Sequence, residues 1–128
     1  ADVGVEVEAP SLTMLFERAA YAMFWLLADV VATDAVVTIP VEIDASDRCE
    51  LLVNWLSELN YRHQVDGLVF SHFTVEALDE THLVGAASGA AITGGRPEVL
   101  CELKAVTFHG LSIECEGGVC RARVIFDI

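Results

Sequence analysis

Hydrophobic and polar residues alternate at both ends of the chain. Residues 3–7 place a valine at every second position, which is the period of a strand with one buried face. Near the other end, two alternating runs at 111–116 and 119–127 are separated by Gly117-Gly118, a pattern typical of a β-hairpin. We therefore expect the chain to open and close with β-strands.

A two-residue turn at Gly117-Gly118 fixes the register of the predicted hairpin. The expected cross-strand pairs are Leu111 with Val124, Ile113 with Ala122, Glu114 with Arg121, and Cys115 with Cys120. In this register the apolar side chains share one face and the polar side chains share the other, so Asp127 should point away from the core. The two cysteines could bond across the hairpin, but with no secretory pattern in the sequence we favour free thiols.

Between the two ends, the hydrophobic spacing becomes helical twice. One helix is expected to follow Ser11 as its N-cap and to be heavily buried along its second half, which is apolar nearly all round. A second helix is expected after Asp47, which is spaced to form a capping box with Glu50. A strand at 35–43 contains Pro40, which places it at a sheet edge or a bulge. Further strands are predicted at 68–77, 82–92 and 99–108.

This order of elements predicts an α+β fold. We expect a mixed, mainly antiparallel sheet, or two sheets, with two long helices packed against it. The 128 residues suffice for one ordinary core, so residues 1–128 are predicted to form a single domain. The longest nearly apolar run, 19–32, is shorter than the about 20 residues that a spanning helix needs, so no membrane segment is expected.

The chain is strongly acidic, with 20 acidic residues against 7 basic ones and a formal charge of −13. Such a surface repels a phosphate backbone, so we expect no stable direct binding of nucleic acid. The same charge favours a basic protein partner, or it serves only to keep an apolar-rich chain soluble or suited to high salt. Lys104 is the only lysine, which makes it a candidate contact residue or a chance surface residue.

Two aspartates stand at the polar-face ends of the terminal strands. Asp2 and Asp127 would meet if those strands are neighbours, and two carboxylates with main-chain oxygen suit Ca²⁺, Mg²⁺ or Mn²⁺ rather than zinc. On pattern alone, the simpler interpretation is that both are solvated surface residues. His109 likewise either faces a partner or is structural. No combination of nucleophile, base and orienting residue is found in the sequence.

Several segments resemble the archease family. Lys-Ala-Val-Thr-Phe-His-Gly at 104–110 and Val-Ile-Phe-Asp-Ile at 124–128 resemble its C-terminal signature, and Ala-Asp-Val-Gly at 1–4 resembles the second half of its His-Thr-Ala-Asp opening motif. Residues 51–59 and 67–71 are similar to its second helix and the strand that follows, so the resemblance covers effectively the whole chain. The His and Thr of the opening motif and an initiator Met are absent, so we expect the native chain to start earlier.

The resemblance implies an archease-like fold and a cytoplasmic, non-enzymatic accessory protein. Its implied partner is the GTP-dependent RNA-splicing ligase that joins tRNA halves, whose guanylylation and multiple turnover it would promote. By resemblance, Asp2, Asp127 and Ile128 would bind a divalent cation, with Ca²⁺ as first choice and Mg²⁺ or Mn²⁺ as alternatives. Lys104 and His109 would contact the partner or its phosphates.

Two other functions stay open at the level of sequence. A metal-dependent phosphohydrolase would turn over its substrate without any partner. A general chaperone or protein-interaction module would bind its partners whether or not Asp127 is present.

Overall fold

Two helices and six strands follow one another in the predicted order. The computed structural model describes residues 1–128 and contains β1 (Asp2–Ala9), α1 (Leu12–Leu27), β2 (Val37–Asp44), α2 (Arg48–Asp66), β3 (Leu68–Leu78), β4 (His82–Ala91), β5 (Ala105–Glu116) and β6 (Val119–Asp127). The strands form two three-stranded sheets, with the orders β1-β6-β5 and β2-β4-β3. All paired strands are antiparallel, which confirms the α+β prediction in its two-sheet form. Neither helix is long and apolar enough to cross a membrane.

Both helices begin at the predicted caps. The Ser11 hydroxyl accepts a hydrogen bond from the Met14 backbone N–H at 3.2 Å, and the Asp47 carboxylate accepts one from the Glu50 N–H at 2.8 Å. The Glu50 carboxylate accepts from the backbone N–H of Ser46 at 3.2 Å, one residue before the position that a standard capping box uses. Each cap satisfies a backbone donor that the first turn of a helix leaves without a partner.

A single hydrophobic cluster joins the helices to both sheets. Helix α1 lies against β1 and β3, and helix α2 lies against β5 and β2. The indole N–H of Trp55 in α2 donates to the Phe16 carbonyl in α1 at 3.0 Å, inside the core. The ring centroids of Phe24 in α1 and Phe70 in β3 are 5.4 Å apart in an edge-on arrangement. The first sheet contributes Phe126 of β6, which is 1% exposed.

The central strand of the second sheet needs its glycines because β3 lies very close to it. A Cβ atom at Gly89 would lie 1.8 Å from the Val69 carbonyl oxygen, and one at Gly85 would lie 2.4 Å from the Thr74 oxygen. Strand β3 shifts its register against β4 at two places. The glycines that weakened the strand pattern in the sequence therefore allow β4 to pair with an irregular neighbour. On the other side of β4, the Pro40-containing strand β2 occupies a sheet edge, as predicted.

The predicted strand at 99–108 is wrong in its first half, because β5 begins only at Ala105. The preceding segment bonds to the helices instead. The Leu100 N–H donates to the Leu27 carbonyl at 2.7 Å, and the side-chain amides of Asn60 and Gln64 donate to the Leu103 carbonyl at 3.0 and 2.8 Å. Since these backbone groups already have partners, they are not available to a strand ladder.

The terminal hairpin adopts three of its four predicted pairs. The pairs of Ile113, Glu114 and Cys115 form as expected, but the pair of Leu111 with Val124 does not. Residues 108–111 form a bulge there, because four residues of β5 oppose the single Val124 of β6. Gly110 within the bulge has a φ of +59°, a backbone conformation that residues other than glycine rarely adopt.

The thiol prediction is wrong for one pair of cysteines. Cys115 and Cys120 form a disulfide, with their Cα atoms 4.0 Å apart. The hairpin register places them directly opposite each other on the same face, close to the turn, so their side chains can meet. Cys49 and Cys101 are free. Burial, followed by the charge of Asp47, raises the pKa of the Cys49 thiol and favours its neutral form.

Helix α1 is less completely buried than its composition predicts. Tyr21 and Trp25 are 41% and 62% exposed, although the second half of the helix is apolar nearly all round. Residues four positions apart lie on the same side of a helix, and no other element covers the side that carries these two. The apolar stripe that faces the sheets is buried, and an aromatic surface is left on the outside.

We expect Phe126→Ala and Asp127→Ala to show that only the inner face of β6 contributes strongly to stability. Phe126→Ala should lower the free energy of unfolding by about 3 to 5 kcal/mol, because it empties a buried site. Asp127→Ala, on the outer face, should change it by no more than about 0.5 kcal/mol. Urea denaturation of both variants beside the parent measures this, and equal losses in the two variants would contradict the assigned faces.

Candidate functional site

The opening strand pairs with the closing strand over its full length. Eight Cα pairs run from Asp2 opposite Asp127 to Ala9 opposite Cys120. The backbones of Ala1 and Ile128 exchange two hydrogen bonds, at 3.1 and 2.9 Å. Because hydrogen-bonded and non-bonded pairs alternate in an antiparallel ladder, the two aspartates occupy a non-bonded pair, where side chains approach most closely. The predicted adjacency of the terminal strands is confirmed.

The aspartate pair is the exception to the charge pattern on this face of the sheet. Glu8 and Arg121 form an ion pair at 2.7 Å, and the next charged pair towards the aspartates also sets a glutamate opposite an arginine. Asp2 and Asp127 instead set two like charges opposite each other, and neither carboxylate takes part in an ion pair. Like charges directly opposite each other destabilise a sheet. The fold alone gives no reason for this pair.

Lys104 lies beside the aspartates without neutralising them. Its backbone N–H donates to the Asp127 carbonyl at 2.7 Å, which ties the start of β5 to the end of β6. Its side chain is exposed and forms no ion pair. His109 is also exposed, in the bulge opposite Val124, which is three residues and therefore about 10 Å from Asp127 along the strand. The structure thus brings Lys104 to the aspartate pair and places His109 farther away.

The donor atoms at this end of the sheet fit part of a cation shell. Carboxylate and main-chain oxygens are hard ligands of the kind that Ca²⁺ and Mg²⁺ prefer. The Ile128 carbonyl oxygen already accepts a hydrogen bond from the Ala1 nitrogen at 3.1 Å. No group of three or more His, Cys, Asp or Glu side chains is close enough together to hold a metal ion. Because Ca²⁺ takes about 6 to 8 oxygens, water or a partner would have to supply most of them.

A comparison with protein-family models identifies the family of this chain. The model of the Archease protein family matches residues 1–128. The chain belongs to the archease family. A protein archease of Methanothermobacter thermautotrophicus is 41% identical over 131 residues, which cover 100% of this chain and 93% of that protein. One of Methanopyrus kandleri is 34% identical over 131 residues, covering 100% of this chain and 94% of its own length.

Solved structures agree with this assignment. The solution structure of a Methanobacterium thermoautotrophicum protein matches with a TM-score of 0.81 at 38% identity, covering 100% of this chain and 93% of that one. A Thermotoga maritima crystal structure, described as an archease and possible chaperone, matches with a TM-score of 0.68. That second protein is only 15% identical and covers 100% of this chain and 91% of its own, so it supports the fold alone.

A histidine held between two carboxylates is a feature that sequence reasoning missed in this archease-family chain. Nδ1 of His82 lies 2.6 Å from an Asp44 oxygen, and Nε2 lies 3.0 Å from a Glu42 oxygen. The hydrogen bond to Asp44 raises the pKa of His82, and the charges of Asp44, Glu42 and Asp79 raise it further. The residues are about 40 positions apart, so only the antiparallel register of β2 and β4, which sets Asp44 opposite His82, could have revealed the cluster.

The His82 cluster should make stability depend on pH. Its pKa is higher in the folded chain than the ordinary 6.5 of the unfolded chain, so protonated His82 stabilises the fold fully below that value. The contribution should disappear as the pH rises through the folded pKa. We expect the difference in unfolding free energy between the parent and His82→Gln to shrink as the pH is raised from about 5.5 to about 9.

Urea denaturation across this pH range measures the difference. His72→Gln is the matched control, since His72 is an exposed strand histidine that forms no ion pair. A pH-independent difference for His82→Gln would refute the role of the two carboxylates.

Proposed function

We propose that this chain is an accessory protein that activates a GTP-dependent RNA-splicing ligase, promoting its guanylylation and multiple turnover, and is not itself an enzyme. Family membership and the terminal motifs support the proposal. The observation that carries it is the like-charged pair of Asp2 and Asp127, which the fold does not require. We call these two side chains, together with the main chain of Ile128, the acidic tip.

Charge explains how the acidic tip would find its partner. A ligase site that binds GTP and RNA phosphates must carry positive charge, and the chain has a formal charge of −13. Complementary charge raises the rate of encounter and fixes the orientation of a complex. The acidic tip would enter that basic cleft, where Lys104, just before β5, and His109 in β5 would contact the partner or its phosphates.

The acidic tip would hold one divalent cation, with Ca²⁺ as first choice and Mg²⁺ or Mn²⁺ as alternatives. Asp2 and Asp127 would supply the charged oxygens, and the main chain of Ile128 a neutral one. A bound cation would offset the like-charge repulsion and present positive charge to phosphate oxygens. Because this chain supplies few ligands, the ligase or its nucleotide would complete the shell.

The two alternative functions, a phosphohydrolase and a general chaperone, would depend on different features of the chain. A phosphohydrolase would need a nucleophile or an activated water and a base, and the sequence offers no such combination. A general chaperone, the role suggested for the Thermotoga maritima relative, would act on many proteins without needing the acidic tip.

We expect Asp127→Asn to reduce ligase activation at least about 10-fold, because it removes one charge from the acidic tip and keeps the shape of the side chain. The measurement is formation of the covalent guanylylated ligase, together with multiple-turnover RNA ligation, with the cognate ligase, GTP and metal. Glu116→Gln is the control, since it removes the same charge from the exposed end of the terminal hairpin.

Full stimulation by a folded Asp127→Asn protein would contradict the proposed role of the acidic tip. Hydrolysis of GTP or RNA by the chain alone, lost in Asp127→Asn, would instead support the phosphohydrolase. Suppression of aggregation of unrelated proteins, unchanged by the substitution and without effect on the ligase, would support the chaperone.

A further inference from the structure

An exposed apolar concavity lies at the C-terminal end of α1. Trp25, Val31 and Leu100 are 62%, 80% and 57% exposed, although large apolar side chains are usually buried. Together with the buried Ala28 and Val30, they line a cavity of about 280 Å³. No part of the chain covers these three side chains, so they are available to another molecule.

The walls of the concavity are fixed by backbone hydrogen bonds. The Asp29 N–H donates to the Glu98 carbonyl at 2.8 Å, and the Leu100 N–H donates to the Leu27 carbonyl at 2.7 Å. These bonds join the segment after β4 to the end of α1. A partner would therefore meet a surface that is already formed, which lowers the entropic cost of binding.

The rim of the concavity is acidic. Asp29 and Glu98 are its only charged lining residues, and neither forms an ion pair. A neighbouring cavity of about 530 Å³ shares both residues and adds Asp34 and a single cationic side chain, Arg96. Three carboxylates against one guanidinium leave the two cavities together with a net negative charge.

We propose that this acidic-rimmed concavity binds a polypeptide segment in which an apolar side chain is flanked by lysine or arginine. The apolar side chain would pack against Trp25, Val31 and Leu100, and the flanking cations would pair with Asp29 and Glu98. Apolar anchors with a charged rim are the usual composition of protein interfaces.

Charge excludes the other occupants of this surface. Two copies of the chain meeting at this face would bring their Asp29 and Glu98 carboxylates together, which costs free energy. Anionic membranes and nucleic acids are repelled by the formal charge of −13. A basic segment with an apolar anchor is complementary to both features of the surface.

This surface is separate from the acidic tip. Its lining does not include Asp2, Asp127 or Ile128, and peptide binding there requires neither a cation nor a nucleotide. The peptide-binding activity can therefore be tested without the ligase, and its failure would leave the proposed function untouched.

The test is a titration with the peptide Arg-Lys-Leu-Phe-Leu-Lys-Arg, followed by intrinsic tryptophan fluorescence. Trp25 is exposed while Trp55 is fully buried, so a blue shift on binding reports on Trp25. We expect Leu100→Ser and Glu98→Lys each to weaken binding at least about 10-fold. The matched controls Val65→Ser and Glu80→Lys change exposed positions elsewhere and should alter the Kd by less than about 2-fold. Asp127→Asn should bind the peptide as the parent does.

Three results would overturn the proposal. The first is the absence of a saturable blue shift. The second is equal binding of a peptide with glutamate in place of the basic residues. The third is self-association of the chain in sedimentation experiments that Leu100→Ser abolishes, which would assign the surface to a second copy.

Discussion

The pairing of β1 with β6 is the constraint on which the rest of the structure depends. It joins the two ends of the chain over eight residue pairs and makes β6 the centre of its sheet, with β5 on the other side. Contacts this distant in sequence carry a large entropic cost, which burial must offset. The inner face of β6 supplies that burial, since Ala122, Val124 and Phe126 are almost fully enclosed. The same register leaves the outer face free to carry charge.

On that outer face, one residue pair conflicts with the stability of the sheet. Cross-strand ion pairs such as Glu8 with Arg121 stabilise the sheet, whereas the like charges of Asp2 and Asp127 destabilise it. Local conflicts of this kind are expected at functional or strained sites, and the proposed cation site gives one reason for this pair. The conflict lies at the end of the sheet, where both chain ends and the start of β5 meet. A cation or a basic partner would offset the repulsion, and the buried side chain of Phe126 anchors the end of β6 next to Asp127.

The sequence predicts much of this fold because its local signals agree with one another. The helix caps, the strand periodicity and the Gly117-Gly118 turn all lead to the observed elements. The errors arise where tertiary contacts decide the outcome. Leu103 lies in a segment whose pattern predicts a strand, but its carbonyl accepts a hydrogen bond from helix α2 instead. Trp25 lies in an apolar helix, on a side that no other element covers. At the site, strand parity predicted the facing aspartates, whereas no local pattern placed His82 between its carboxylates.

The central claim is that Asp2 and Asp127 hold one cation together. Calcium titration by calorimetry on the parent, Asp2→Asn, Asp127→Asn and the double variant tests it most directly. If the aspartates share a site, binding saturates at one cation per chain, and each single substitution costs nearly as much affinity as both together, because partners in one site are not additive. Losses that add independently, or calcium binding that neither substitution changes, would contradict the account.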